Sequence, residues 1–149
     1  MSCLDYHEII PNLYLGSIFV AEDEDTLKDI GITHIVTAGR DMQPMYPKKF
    51  NYRVLKLRDY EDENITKYFD SSIEFIENAL NSDGKVLVHC LAGVSRSSAI
   101  VWAYLIKTKQ WEFEKALEYV QSKRRVANPN EGYQLQLVDF ASQINNINY

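Results

Sequence analysis

Cysteine is scarce in this chain: there are two in 149 residues, Cys3 and Cys90. Two thiols cannot supply the disulfide framework of a small secreted domain, and a cysteine in a reducing compartment is better examined for reactivity. Long apolar runs are missing too. The longest, Ala99 to Ile106, holds eight residues, where a membrane-spanning helix needs about 20, so it predicts a buried helix. Surplus positive charge is absent: 16 Lys and Arg stand against 21 Asp and Glu, a net charge of -5. That balance argues against nucleic acid and stable membrane insertion, and it requires any anionic ligand to be held locally. With four prolines and six glycines there is no linker, repeat or low-complexity stretch. The length fits one domain, expected over residues 1–149. Met1 to His7 has neither a basic start followed by an apolar stretch nor an Arg-rich pattern, and a cytoplasmic location, or a nuclear one, is the expectation.

What remains is an alternation of strand and helix signals. Ile9-Ile10 and Leu13 to Leu15 predict short strands around the Pro11-Asn12 turn, and Ala21 to Ile30 predicts an acidic-fronted helix stopped at Gly31. The β-branched run Thr33 to Thr37 and the alternating stretch Tyr52 to Arg58 read as strands. Apolar residues at 65, 69, 73, 76 and 80 share one face of a helix ended by Asn81-Ser82-Asp83-Gly84. Lys85 to His89 is apolar enough to be a central strand, and Phe113 to Lys123 and Tyr133 to Ile144 are helical in period, separated by Asn128-Pro129-Asn130. The fold class is therefore α/β, a central mixed sheet flanked by helices. Residues 85–106 put a loop at the carboxyl end of a central strand, where open α/β sheets bind ligands.

That loop reads His89-Cys90-Leu91-Ala92-Gly93-Val94-Ser95-Arg96-Ser97. A cysteine between a strand end and a helix start faces converging backbone N–H groups and the positive end of the helix dipole. Both favour a thiolate, a nucleophile that needs no separate base. The amides of residues 91 to 96 would cradle a tetrahedral dianion, Gly93 lets the backbone come close, and Arg96 can clamp two oxygens with its planar fork. Together these describe attack of a thiolate on a phosphate ester.

The His-Cys, five residues, Arg-Ser pattern resembles the signature of the cysteine-dependent protein tyrosine phosphatase superfamily, and within it the small dual-specificity phosphatases. Ile10-Pro-Asn-Leu-Tyr-Leu-Gly16 and Ala127-Asn-Pro-Asn-Glu-Gly-Tyr133 carry the resemblance over a core from about Ile9 to Phe140. It implies Cys90 as nucleophile, Arg96 as phosphate clamp, and Ser97 as the hydroxyl that aids breakdown of a phosphocysteine. His89 would orient the loop, Asn130 would steady it, and Leu91, Ala92, Gly93, Val94 and Ser95 would line the substrate site. A leaving oxygen needs a proton. The resemblance assigns that donor to Asp59, followed five residues later by Asn64-Ile65, with Asp62 the rival inside the acidic stretch Asp59 to Glu63. It implies no cofactor and no metal, and phosphorylated proteins, signalling kinases among them, as partners.

The implied reaction is hydrolysis of phosphotyrosine and phosphoserine or phosphothreonine. The same chemistry on a phosphoinositide, an RNA 5′-phosphate or a glucan is one alternative, and a catalytically inactive phosphate-binding module is another. The loop itself offers no added positive charge for a multiply phosphorylated headgroup. Lys123-Arg124-Arg125 reads either as cations favouring a helix C-terminus or as a phosphopeptide contact. His34 reads as a packed strand residue, Glu22 to Asp25 as a solvated helix start, and Cys3 carries no role.

Overall fold

Val86, Leu87, Val88 and His89 are all buried, and they form β5 (Val86–His89), the middle strand of a five-stranded sheet. The computed structural model describes residues 5–147, and Cys3 lies outside them. β1 (Tyr6–Ile10) and β2 (Leu13–Gly16) make an antiparallel hairpin, and β2 runs parallel to β5. On the other side β5 runs parallel to β3 (His34–Ala38), which runs parallel to β4 (Asn51–Leu55). The order β1-β2-β5-β3-β4 is therefore a mixed sheet, and its parallel pairs are joined by the crossovers such pairs require.

Alternation along the strands divides the core into two layers. Leu87 and Ile35 lie in register with Tyr14 and Tyr52. They pack with Val20, Ala21 and Leu27 of α1 (Ile18–Ala21) and α2 (Glu24–Ile30). Leu13, Leu15, Val36, Ala38, Val86 and Val88 join the other layer. There the cover is α3 (Phe69–Asn81), α4 (Arg96–Lys109), α5 (Phe113–Lys123) and α6 (Glu131–Ile147). α4 is buried from Arg96 through Ile106 and touches α3, α5 and α6, so the apolar run is the central helix of that layer. No helix among the described residues is long and apolar enough to cross a membrane.

Three elements differ from expectation. The helix expected over Ala21 to Ile30 is two pieces, because the Asp23 carboxylate accepts from Thr26 N at 3.0 Å and starts α2 afresh, with Glu24 and Asp25 in its first turn. The strand expected to reach Arg58 ends at Leu55: Leu57 N turns back to Leu55 O at 2.8 Å and Leu57 is buried. This turn moves Arg58 and Asp59 out of the sheet and onto a loop. Ile65 precedes a 3-10 turn, Thr66–Tyr68, before α3 begins. α6 starts at Glu131, just after Asn130, whose Oδ1 accepts from Tyr133 N at 2.8 Å.

Candidate active site

The Cys90 loop can be described carbonyl by carbonyl, since each buried main-chain group needs a partner. Cys90 O accepts from His89 Nδ1 at 3.3 Å, and Leu91 O from Ile18 N at 3.0 Å. Ala92 O and Gly93 O accept from Arg124 Nη2 and Nε at 3.1 and 2.9 Å. Val94 O accepts from Asn128 N at 2.7 Å and Ser95 O from Ala99 N at 3.0 Å. Every carbonyl from residue 90 to 95 is thus tied to the surrounding elements. In a trans peptide the next N–H points opposite to the carbonyl, and no peptide among the described residues is cis. The N–H groups of residues 91 to 96 therefore point away from those carbonyl partners, in the stretch that leads into the N-terminus of α4. That array suits a tetrahedral anion.

Cys90 sits where β5 hands over to this loop and is 2% exposed. Its Sγ lies 3.0 Å from Ser97 Oγ, a fully buried hydroxyl in the first turn of α4. His89 is buried too, and burial pushes its imidazole down from the usual value to about 4. The ring is neutral at pH 7. A carbonyl can only accept, so Nδ1 carries the proton toward Cys90 O. Nε2 then accepts from Thr37 Oγ1 at 2.9 Å, which locks His89 to β3.

Arg96 opens α4 and is buried, and its Nη1 donates to Asp41 Oδ1 at 2.8 Å and reaches Leu57 O at 3.5 Å. Burial is the largest influence on the Asp41 carboxyl and pushes it up, but the hydrogen bond and charge of Arg96, with a main-chain hydrogen bond, together outweigh it and hold Asp41 below the ordinary carboxylate range. Burial likewise opposes the Arg96 charge, and Asp41 and Cys90 more than compensate. Nothing in the sequence around Asp41 marks it. It meets Arg96 only because the loop after β3 returns beside α4, 55 residues away in sequence.

Asp59 is exposed, and its Oδ1 accepts from Asn130 Nδ2 at 3.0 Å. The main-chain N of the same asparagine donates to Ser95 Oγ at 2.9 Å, so Asn130 joins the Asp59 loop to the Cys90 loop. Two α6 residues also hold the Asp59 loop. Gln136 Oε1 accepts from Ile65 N at 2.9 Å and Thr66 N at 3.0 Å, its Nε2 donates to Glu63 O at 2.9 Å, and the Tyr133 hydroxyl donates to Arg58 O. Burial pushes the Tyr133 phenol well up, so it stays a donor. Gly132 permits the contact, since a Cβ there would lie 1.8 Å from Glu61 O.

A cleft of about 500 Å³ opens between these loops, lined by Arg40, Asp41, Arg58, Asp59, Tyr60 and Arg96. Asp62, the rival to Asp59, is exposed and does not line it. Arg40 and Arg58 add positive charge from outside the Cys90 loop, although Arg58 is paired with Glu63 at 2.7 Å. Lys123 and Arg125 are exposed, whereas Arg124 is fully buried against the Cys90 loop, which neither expectation for this basic triplet contained. His34 lies edge-on to Phe75 of α3, a packed strand residue as expected.

Residues 13–143 match the family model described as dual specificity phosphatase, catalytic domain. Two Arabidopsis thaliana proteins are similar. Dual specificity protein phosphatase 1 is 45% identical over 127 residues, covering 85% of this chain and 64% of that protein. Dual specificity protein phosphatase 1B is 43% identical over 140 residues, covering 94% and 84%. This chain therefore spans just under two thirds of the length of the first. Among solved structures, the human tyrosine phosphatase-like serine/threonine/tyrosine-interacting protein superposes with a TM-score of 0.88 at 37% identity, over 93% of this chain and 97% of that one. Sheet order, loop and similarity agree, and the chain belongs to the dual specificity phosphatase catalytic domain family.

Proposed function

We propose that this chain is a protein phosphatase that hydrolyses phosphotyrosine and phosphoserine or phosphothreonine through a phosphocysteine. The observation that carries the reading is the tie of six successive carbonyls to other groups, which turns the opposite amides away from those partners and supports their convergence on a phosphate in front of Cys90. The substrate phosphate sits on those amides, with Arg96 meeting two of its oxygens. Cys90 Sγ, as thiolate, attacks phosphorus. An S–P bond forms as the ester P–O bond breaks, and Asp59 gives its proton to the departing oxygen. Water then attacks the phosphocysteine, Asp59 takes back a proton, inorganic phosphate forms, and the electron pair of the S–P bond returns to sulfur. Ser97 Oγ, 3.0 Å from Sγ, donates a hydrogen bond to the sulfur as it leaves.

His89 and Asn130 act by holding the two loops. The amides and Arg96 already meet the charge that builds on phosphorus, so no step needs a metal. Protein substrates are the reading that the names of the relatives support, and a cytoplasmic or nuclear location goes with it.

Cys90→Ser tests the mechanism. Turnover of phosphopeptides should vanish while vanadate still binds, because the cradle remains, and chelators should leave wild-type turnover intact. Turnover by Cys90→Ser near the wild-type rate overturns the phosphocysteine. A substrate panel decides the rest: a phosphoinositide or RNA 5′-phosphate favoured tenfold over every phosphopeptide would transfer the chemistry to that substrate. A wild type that binds phosphopeptides without turning them over would be a recognition module.

A further inference from the structure

Arg124 closes α5 and is 0% exposed, the most deeply buried charged side chain among the described residues. A guanidinium is costly to bury unless its charge is matched and its five N–H donors are met. Here all five are. Nη1 donates to Asp5 Oδ1 at 2.7 Å and to His7 Nδ1 at 3.0 Å. Nη2 donates to Asp5 Oδ2 at 2.9 Å and to Ala92 O at 3.1 Å, and Nε donates to Gly93 O at 2.9 Å. The Arg124 bond holds the Asp5 carboxyl below its ordinary range against partial burial, so the pair stays ionised at neutral pH.

Two of those donors fix consecutive carbonyls of the Cys90 loop. Through the planar peptides, the same bonds aim the N–H groups of Gly93 and Val94 in the opposite direction, and neither N–H meets an acceptor among the described residues. Gly93 has φ +68, and a Cβ there would lie 2.6 Å from the Gly16 carbonyl and 2.7 Å from Arg124 Nη2, so the loop and the guanidinium close directly on each other. Lysine could keep the charge beside Asp5 but has no rigid fork to span two carbonyls and a carboxylate.

We propose that Arg124 is a positioning residue of the phosphate site: caged by Asp5 and His7 at the edge of the sheet, it holds the Ala92 and Gly93 carbonyls back and keeps two amides aimed at the substrate. The inference rests on the Cys90 loop being a phosphate site. Its effect is greatest in the transition state, where the charge on the phosphoryl oxygens is shared most closely with the amides.

The test uses the full chain and three readouts: thermal unfolding, the dissociation constant of vanadate, and kcat and KM on a phosphopeptide. Arg124→Lys should still unfold cooperatively, bind vanadate about tenfold more weakly, and lose about tenfold in kcat/KM, the larger part in kcat. Asp5→Asn keeps the guanidinium but loosens its cage, and should weaken vanadate about threefold. A purely structural Arg124 would lower the melting temperature and leave folded protein with wild-type oxyanion affinity. If Arg124→Lys binds vanadate less than threefold more weakly than the wild type, the proposal is overturned; if Arg124→Lys does not fold, Asp5→Asn decides, and a weakening of less than about 1.5-fold overturns it. A wild type that neither binds vanadate nor turns over a phosphopeptide would remove the phosphate site and this inference with it. Unaffected variants of an active wild type would remove the inference alone.

Discussion

The two loops that meet at the cleft are built in opposite ways. The Cys90 loop is short, buried at Cys90, Gly93 and Ser95 though exposed at Leu91 and Ala92, and tied at each carbonyl from residue 90 to 95, so its amides are held in place by the surrounding protein. The Asp59 loop is exposed at Asp59, Tyr60, Glu61 and Asp62 and is held along one side by Asn130, Tyr133 and Gln136 around the start of α6. A group that must be complementary to a growing charge gains from being immovable. A proton donor has to reach leaving oxygens on side chains of different length, and a loop fastened along one side allows that.

The sharpest way to break the contrast is at the clamp. Arg96→Ala should lower kcat/KM on the order of 1,000-fold for every substrate, because it removes charge-assisted donors from the fixed side of the cleft. Parallel losses on phosphopeptides and activated aryl phosphates would show this in steady-state kinetics, and a loss confined to one leaving group would contradict it. Asp59→Asn should behave otherwise. Roughly 100-fold should be lost on phosphopeptides, whose leaving groups are basic, and little on an aryl phosphate with an acidic phenol. Asp62→Asn should be mild on both, and the reverse pattern would hand the acid role to Asp62.

His89 sharpens the comparison through stability. Its folded value of about 4 lies below the 6.5 of an unperturbed imidazole, so between those values the unfolded chain binds more protons. Stability is complete above about pH 6.5 and falls as pH drops through that window, by about 2 kcal/mol between pH 7 and pH 5. Asp5 and Asp41, held below 3.8, add their losses only in stronger acid. Urea unfolding at the two pH values should show that loss in the wild type and a flatter response in His89→Asn; equal slopes would refute it. The mildest change is Gln136→Ala. It should cost about 1 kcal/mol of stability and up to roughly tenfold in kcat on phosphopeptides by loosening the donor. Vanadate should bind unchanged, and weaker binding would mean that the two loops are not separable.

Legibility in the sequence followed the same divide. The Cys90 loop is nine consecutive residues between a strand and a helix, so its proposed chemistry could be read locally, whereas Asp59 is singled out only through the family resemblance, with Asn64-Ile65 five residues on. The sheet and helices were legible from periodicity, except where a side chain or turn intervened, as Asp23 does at α2 and Leu57 does past β4. What escaped were contacts between distant segments. Asp41 meets Arg96 across 55 residues, Gln136 meets Ile65 across 71 and Arg124 meets Asp5 across 119. Each lies in an unremarkable local context and acquires its role only when the chain has closed.

The position of Asp5 and His7 bears on where the working unit begins. The family-model match starts at residue 13, the first residue of β2, and a protein trimmed there would retain Cys90, Arg96, Ser97, Asp59 and Asn130. It would also lack β1, leaving β2 as a raw sheet edge and stripping Arg124 of its carboxylate and imidazole. The boundary drawn by the family-model match and the boundary drawn by charge balance therefore differ, and a recombinant fragment of this protein should be cut by the second.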